Sequence, residues 1–172
     1  ADDIAAFKKS GGRIEVLGKH VDYAGGRSLL CTVERGIVLV AAPRDDRRVV
    51  LRDAKRREST VVDLDATAAA TQASLPWSIY PRTVVNRLAR NFDQQLIGAD
   101  IAISSSLPPA AGVSSSSALV VGLTLALSAL SRLPDTERWR EQLAMRTALA
   151  GYVGAMENGL DFGALGRRHR AR

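Results

Sequence analysis

The sequence predicts an α+β domain in which helices pack against a mostly antiparallel sheet. Short β-branched segments fill the first third of the chain, whereas apolar residues recur at helical spacing through much of the remainder. The 172 residues can bury one core, and 46% of them are apolar against 24% charged, which is typical of a globular protein. No internal repeat or interdomain linker is recognisable, so these elements are expected to form one layered domain.

The predicted strands come first along the chain. A turn is expected at Glu34-Arg35-Gly36, between two apolar segments, and the charged stretch 44–58 suits an exposed hairpin. The resulting strands are expected at 13–18, 28–33, 36–42, 49–51 and 60–64. The small, polar stretch 66–73 predicts a loop or a weak helical turn.

Helices dominate the second half of the chain. Pro81 is suited to open a helix, whose apolar positions run from Val84 to Leu96 and which Gly98 is expected to end. The alternation of residues 99–105 predicts a strand. A serine-led apolar helix should then reach about residue 131, and one amphipathic helix should run from about residue 136 to a stop at residues 158–159.

Charge and composition limit the classes of function. The net charge is +6, but four arginines in the last seven residues contribute +4 of it, so we expect a domain at 1–165 and a disordered basic tail at 166–172. The single cysteine, Cys31, excludes an internal disulfide and is expected to be buried. The acidic start resembles no signal peptide, and the longest apolar stretch, 118–130, is too short to span a membrane. These features predict a cytoplasmic protein, with nucleic-acid binding by the tail as the less favoured alternative.

The strongest local signal is a proline-led loop followed by four serines, residues 108–117. Gly112 allows backbone N–H groups to converge, and Ser114, Ser115, Ser116 and Ser117 would place donors at a helix N-terminus, where the dipole favours phosphate. The loop lacks the Gly-Lys-Ser/Thr of a Walker A motif. The alternative is a serine-rich helix cap without a ligand, although one serine suffices for capping.

A second signal is the segment from Gly12 to Gly26, in which glycines flank a group of polar side chains. Mixed hydrogen-bond donors and acceptors suit a polyol, whose hydroxyls both donate and accept. A charged surface turn is the alternative. The side chains concerned are Arg13, Lys19, His20, Asp22 and Tyr23.

Together the two segments resemble the galactokinase branch of the GHMP kinases. Gly12 to Gly26 is similar to that branch's sugar motif, in which a Gly-Arg strand leads into Gly-Glu-His-Thr-Asp-Tyr-Asn-Gly-Gly. Residues 108–118 are similar to the family's Pro-x-x-x-Gly-Leu-Ser-Ser-Ser-Ala phosphate loop. The resemblance covers roughly residues 11–160 and implies a GHMP kinase N-terminal domain of the ribosomal protein S5 domain 2-like type.

Two weaker stretches extend the resemblance. Trp77 and Tyr80 are similar to the Trp-x-Asn-Tyr segment that lies beside adenine in galactokinases, and an aromatic pair packed in the core is the equal alternative. Glu157 resembles the family glutamate that holds Mg²⁺, with a solvated carboxylate at a helix end as the alternative.

The resemblance implies an ATP-dependent sugar 1-kinase that uses ATP and Mg²⁺. Arg13, His20, Asp22 and Tyr23 would contact the sugar, and Arg13 would also steady the transferring phosphoryl group. Gly112 and the serines at 114–117 would hold the ATP phosphates. Ser115 or Ser116, with Glu157, would hold Mg²⁺, and Ser116 is the serine we select.

Two positions depart from the family pattern. Lys19 stands where galactokinases carry glutamate, so a sugar acid or another galactose-like sugar suits the pocket at least as well as galactose. Family members also have an aspartate base in a later glycine-rich segment, whereas Asp161 follows the Glu157 helix too closely. We therefore expect these residues alone to be inactive, and a non-catalytic sugar or nucleotide sensor is the alternative function.

Overall fold

The structure is a computed structural model that describes residues 6–18, 25–65, 75–92, 95–108 and 111–166, with the side chains of residues 164 and 166 left aside. Its five strands form one sheet in the order β1-β2-β5-β3-β4, in which only the β3–β5 pair is parallel. The strands are β1 (Ala6–Leu17), β2 (Leu29–Arg44), β3 (Arg48–Asp53), β4 (Glu58–Asp63) and β5 (Gly98–Ser105). The helices are α1 (Ile79–Phe92), α2 (Ser115–Leu130), α3 (Glu137–Leu143) and α4 (Arg146–Glu157), and short 3-10 turns lie at Pro76–Ser78, Leu133–Asp135 and Gly163–Gly166. The α+β prediction with a mostly antiparallel sheet is confirmed.

The apolar helix α2 organises the interior. It lies against β1 and β2 and is in turn contacted by α1 and α4. The close approach explains Gly122, because a Cβ at that position would lie 2.5 Å from Cδ1 of Leu39 on β2. Alternate residues of β2, Ile37, Leu39 and Ala41, are buried beneath this helix layer, as expected for a sheet covered on one face.

The predicted turn at Glu34-Arg35-Gly36 is wrong, because β2 runs through it as one long strand. Gly36 pairs with Gly11 of β1, and a Cβ at Gly36 would lie 2.4 Å from the carbonyl oxygen of Ser10. Its N–H donates to Ser106 Oγ at 3.0 Å. The glycine therefore serves a close contact between strands, where the local pattern indicated a chain reversal.

The other strands follow the sequence more closely. The hairpin of β3 and β4 lies at the expected place, and its turn, 54–57, is the most exposed part of the charged stretch. Strand β5 matches the predicted 99–105 but begins at Gly98, which was expected to end a helix. A Cβ at Gly98 would lie 1.9 Å from the carbonyl oxygen of Asp46, so this glycine also serves a close backbone contact.

The helices differ from prediction at two places. Helix α1 ends at Phe92, although Leu96 beyond it is fully buried, so apolar spacing continued past the end of the helix. The single helix expected from about residue 136 is two helices, because Met145 between α3 and α4 is extended with ψ of 137°. The stop at residues 158–159 is confirmed, with Gly159 at φ +70°.

Three sequence predictions concern residues outside this core. Cys31 was expected to be buried and is exposed, because it lies opposite Ile14 near the far end of the β1–β2 hairpin. The 66–73 segment and residues 167–172 of the basic tail lie outside the described residues. Within the described part of the chain, no helix is both long and apolar enough to cross a membrane.

Candidate functional site

The serine-led loop enters α2 through two left-handed backbone positions. Gly112 has φ +68°, and Ser114, the residue before the helix, has φ 54° and ψ 46°. The Ser114 side chain makes no capping hydrogen bond, so the capping alternative does not describe it. A Cβ at Gly112 would meet nothing within 4 Å, so the need for glycine there comes from its positive φ and not from a lack of space.

Two of the four serines are joined to the end of α4. The hydroxyls of Ser116 and Ser117 both donate to the same carboxylate oxygen, Oε1 of Glu157, at 2.9 Å each. The first turn of α2 and the last turn of α4 therefore meet at one carboxylate, and the two residues predicted to hold Mg²⁺, Ser116 and Glu157, lie in contact. Hydroxyl and carboxylate oxygens are ligands that suit Mg²⁺.

A cavity of about 210 Å³ lies in front of these serines, and we call it the serine cavity. Ser115 and Ser116 border it, and so do both aromatic residues singled out in the sequence, Trp77 and Tyr80. The alternative of a packed aromatic pair is thus incomplete, since Trp77 packs on the core and also faces this space. The full lining comprises Ile37, Asp53, Arg56, Trp77, Tyr80, Ile103, Ser105, Ser115, Ser116 and Leu119.

The indole of Trp77 is held by a residue that sequence reasoning missed. Its Nε1–H donates to Glu58 Oε2 at 2.7 Å, which links the short turn before α1 to the first residue of β4. The same turn is closed by Ser78, whose hydroxyl donates to the carbonyl of Leu75 at 2.7 Å. The aromatic wall of the cavity is therefore fixed from two sides.

Asp53 and Arg56 were also missed as cavity residues. They belong to the β3–β4 turn, which reaches the cavity because β3 pairs in parallel with β5 and places Asp53 opposite Ile103. That pairing is a long-range feature with no local pattern. The signal in the sequence was the high density of charged residues between two apolar strands, which we interpreted as an exposed hairpin.

The sugar-motif segment, Gly12 to Gly26, is described at its two ends, residues 12–18 and 25–26. The Arg13 N–H donates to the Val113 carbonyl at 3.1 Å, one residue before Ser114, so β1 is bonded directly to the serine-led loop. Gly12 permits this approach, because a Cβ there would lie 2.9 Å from that same carbonyl oxygen. The other predicted sugar residues, Lys19, His20, Asp22 and Tyr23, lie outside the described residues.

Asp161, the last carboxylate of the sequence, is engaged away from these serines. Its Oδ1 accepts a hydrogen bond from Arg90 at 2.8 Å and lies 3.8 Å from Nη1 of Arg87, which is buried. Both arginines belong to α1, so Asp161 ties the end of the described chain to that helix. Among the described residues, no group of three or more His, Cys, Asp or Glu side chains is placed to hold a metal ion.

Comparison with known proteins fits this arrangement. The family model for the GHMP kinases N terminal domain matches residues 80–161, which include the serines and Glu157. A second model, the galactokinase galactose-binding signature, matches residues 3–43 and includes Arg13. The two models therefore cover separate stretches that meet at the Arg13–Val113 contact.

Solved structures show the same fold. The galactokinase of Lactococcus lactis complexed with galactose superposes with a TM-score of 0.68 at 24% identity, over 94% of this chain and 38% of that one. Streptococcus pneumoniae phosphomevalonate kinase in complex with phosphomevalonate and AMPPNP superposes with a TM-score of 0.64 at 17% identity, over 94% of this chain and 45% of that one. The Methanococcus jannaschii mevalonate kinase superposes with a TM-score of 0.62 at 15% identity, over 96% of this chain and 51% of that one.

The fold and the two matched motifs define a domain of the small-molecule kinases to which these structures belong. The chain belongs to the galactokinase-like GHMP kinases and corresponds to their N-terminal domain. It spans about two fifths to one half of the length of the three structures named above.

Proposed function

We propose that the chain forms the nucleotide- and sugar-binding N-terminal half of an ATP-dependent sugar 1-kinase. The observation that carries this proposal is the serine cavity, which is bordered both by Trp77 and Tyr80 and by the first residues of α2, where Ser114 makes no side-chain capping hydrogen bond. Helix N-termini bind phosphate through unpaired N–H groups, and aromatic faces suit a purine base. One cavity thus offers both chemistries that a nucleotide requires.

The described residues divide the work of binding. Trp77 and Tyr80 would contact the adenine, while Gly112 and the serines at 114–117 would surround the phosphates. Ser116 and Glu157 would hold Mg²⁺, which when bound neutralises charge on the phosphates. Arg13, next to Val113, would meet the phosphoryl group as it moves toward the sugar. Contacts from His20, Asp22 and Tyr23 to that sugar complete the proposal.

We expect residues 1–172 alone to bind ligands without measurable turnover. Phosphoryl transfer depends on alignment and on electrostatic stabilisation of the transferring group. Asp161, the carboxylate that follows Glu157, is paired with Arg90 and Arg87 on α1, and we assign it no role as the base. This engagement favours ligand binding without catalysis as the second candidate function of these residues.

Thermal unfolding with and without ligand tests the proposal. MgATP should raise the melting temperature, since a ligand that binds only the folded state stabilises it by mass action. Glu157→Gln should abolish the extra shift that Mg²⁺ gives over ATP with EDTA, whereas Glu141→Gln, an exposed change of the same kind on α3, should preserve it. An unchanged melting temperature in saturating MgATP would refute nucleotide binding.

The nature of the sugar can be tested through Lys19. If Lys19 faces a substrate carboxylate, galacturonate should stabilise the protein more than galactose does, and Lys19→Glu should reverse that order. Equal shifts from both sugars, unchanged by the substitution, would show that Lys19 does not select the substrate. Turnover near ~1 s⁻¹ on any hexose or uronic acid, an ordinary kinase rate, would overturn the expectation that these residues are inactive.

A further inference from the structure

Negatively charged side chains outnumber positively charged ones around the serine cavity, which disfavours an anionic ligand. Asp53 borders the cavity, and Glu157 lies directly behind Ser116. Against these two carboxylates, Arg56 is the one cation among the described residues that border the cavity. The loop 108–117 contains no lysine or arginine, so a nucleotide with several negative charges would find neutral donors there and no fixed positive charge.

Backbone hydrogen bonds fix the turn that carries Arg56. Oδ1 of Asp53 accepts from the N–H groups of Lys55 at 2.9 Å and Arg56 at 3.0 Å, and the Asp53 carbonyl accepts from Arg57 N–H at 2.9 Å. Ala54 N–H donates to the Ile103 carbonyl at 2.9 Å, which anchors the turn on β5. The position of the Arg56 backbone is therefore set before any ligand arrives.

The guanidinium of Arg56 has donors to spare. Its Nε lies 3.8 Å from Asp53 Oδ2, beyond hydrogen-bond distance, and its side chain makes no hydrogen bond within the described part of the chain. That side chain is 52% exposed, whereas the Asp53 side chain is 16% exposed. A half-exposed guanidinium that borders the cavity and makes only this long ion pair among the described residues can bind phosphate oxygens in a bidentate manner.

We infer that Arg56 is the phosphate-binding cation of this nucleotide site, an inference that rests on the function proposed above. It contacts the polyphosphate from the β3–β4 turn, as a lining residue of the same cavity that Ser115 and Ser116 border. Arg56 thus takes the charge-neutralising role that a loop lysine has in P-loop proteins. The ligand class is a nucleoside di- or triphosphate, and the contact is to its phosphates, while Trp77 and Tyr80 take the base.

Calorimetric titration of the full chain with ATP, ADP, adenosine and inorganic tripolyphosphate tests the inference. Arg56→Gln should weaken ATP and tripolyphosphate about 10- to 100-fold, the loss expected for a charge-assisted hydrogen bond, and leave adenosine unchanged. Arg56→Lys should recover part of the loss. Lys55→Gln and Arg57→Gln are matched controls, because both residues are exposed, lie in the same turn and stay outside the cavity lining.

The outcomes separate this inference from the proposed function. Equal weakening by all three glutamine variants would mean that only net charge matters, and an equal loss for adenosine would place Arg56 at the nucleoside; either result overturns the inference while nucleotide binding stands. Failure of the wild-type chain to bind ATP overturns both. Because the Arg56 side chain is half exposed, we expect Arg56→Gln to have the wild-type melting temperature. An unchanged melting temperature would mean that a loss of affinity comes from the binding site and not from a destabilised fold.

Discussion

The β1–β2 hairpin and the β3–β4 hairpin differ in how regularly their strands pair. The second pairs without interruption from Arg48 opposite Asp63 to Asp53 opposite Glu58. The first shifts register twice, around Gly12 and before Leu17, and carries exposed leucines toward its far end. The regular hairpin supplies one wall of the serine cavity, whereas the irregular one leads into the sugar motif.

This difference shows how one sheet can serve two kinds of ligand contact. An uninterrupted register holds Glu58 and the Asp53–Arg56 turn at fixed positions, which suits a preformed cavity. A register shift at Gly12 bends β1 toward Val113, as bulges commonly re-aim a strand near a site. The regularly paired β3–β4 hairpin thus carries Asp53 and Arg56 of the serine cavity. The register shift in β1 lies beside Arg13, which is bonded to the loop before the serines.

The largest effect on stability is expected from a substitution in the core of the β3–β4 hairpin. Leu51→Ala removes a fully buried side chain from β3 and should cost about 2–5 kcal/mol of unfolding free energy. Leu17→Ala on the first hairpin is the control, since Leu17 is 66% exposed and its loss should change stability by less than about 0.5 kcal/mol. Urea unfolding followed by circular dichroism measures both. A cost for Leu17→Ala as large as that for Leu51→Ala would show that the far end of the first hairpin is buried in solution.

The next effect tests the register shift itself. A Cβ at Gly12 would lie 2.6 Å from Cδ2 of Leu107 and 2.9 Å from the Val113 carbonyl oxygen, so Gly12→Ala should cost about 1–3 kcal/mol through overpacking. Gly11→Ala is the matched control, because its nearest neighbour, the Val33 carbonyl oxygen, is 3.7 Å away. The same unfolding assay compares them. Equal costs would mean that the close contact at Gly12 does not shape the loop.

A smaller effect is expected where the second hairpin holds Trp77. Glu58→Ala removes the acceptor for the indole N–H and should cost about 1 kcal/mol, whereas Glu58→Gln retains an acceptor oxygen and should cost less. Fluorine NMR of 5-fluorotryptophan protein reports the site directly, since Trp77 and Trp139 are the two tryptophans. The Trp77 resonance should shift in Glu58→Ala and stay in place in the exposed neighbour Ser59→Ala. An unmoved Trp77 resonance in Glu58→Ala would contradict the contact.

The smallest effect concerns the pH dependence of the β3–β5 pair. Burial by itself would raise the pKa of Asp100, but hydrogen bonds from Arg52 and Arg44 outweigh it and hold that pKa below its ordinary value. The stability from this carboxylate is therefore present above the unfolded pKa of about 3.9 and is lost as the pH falls through the lower folded value. Asp100→Asn should flatten the acid limb of the stability profile by a few tenths of a kcal/mol, as for other half-exposed ion pairs. A steeper acid limb in the variant would reverse the sign and refute the assignment.

Local determinants made part of the fold predictable from sequence. The serine-led helix was predicted because its serine-rich start and its apolar body lie within its own residues. The pairing of Ser116 with Glu157 came from resemblance to a family, and the structure brings the two side chains into contact. Local pattern alone would have left Glu157 a solvated carboxylate.

The errors arose where distant residues decide the local geometry. Gly36 looks like a turn residue until Ser10 of the neighbouring strand is placed against it. The break at Met145 lies within continuous apolar spacing and so left no periodicity signal. Asp53 and Arg56 reach the cavity through the parallel β3–β5 pairing, which the spacing of residues in the sequence does not predict.

The backbone hydrogen bond from Arg13 to Val113 has a mechanical consequence. It joins the segment matched by the galactose-binding signature to the loop that precedes the serines, at 3.1 Å and without any intervening side chain. This contact is between main-chain atoms, so its length does not depend on which side chains occupy the two positions. Under the function proposed above, side-chain substitutions in either segment would alter what that segment binds, while the main-chain hydrogen bond would keep the two segments at the same separation.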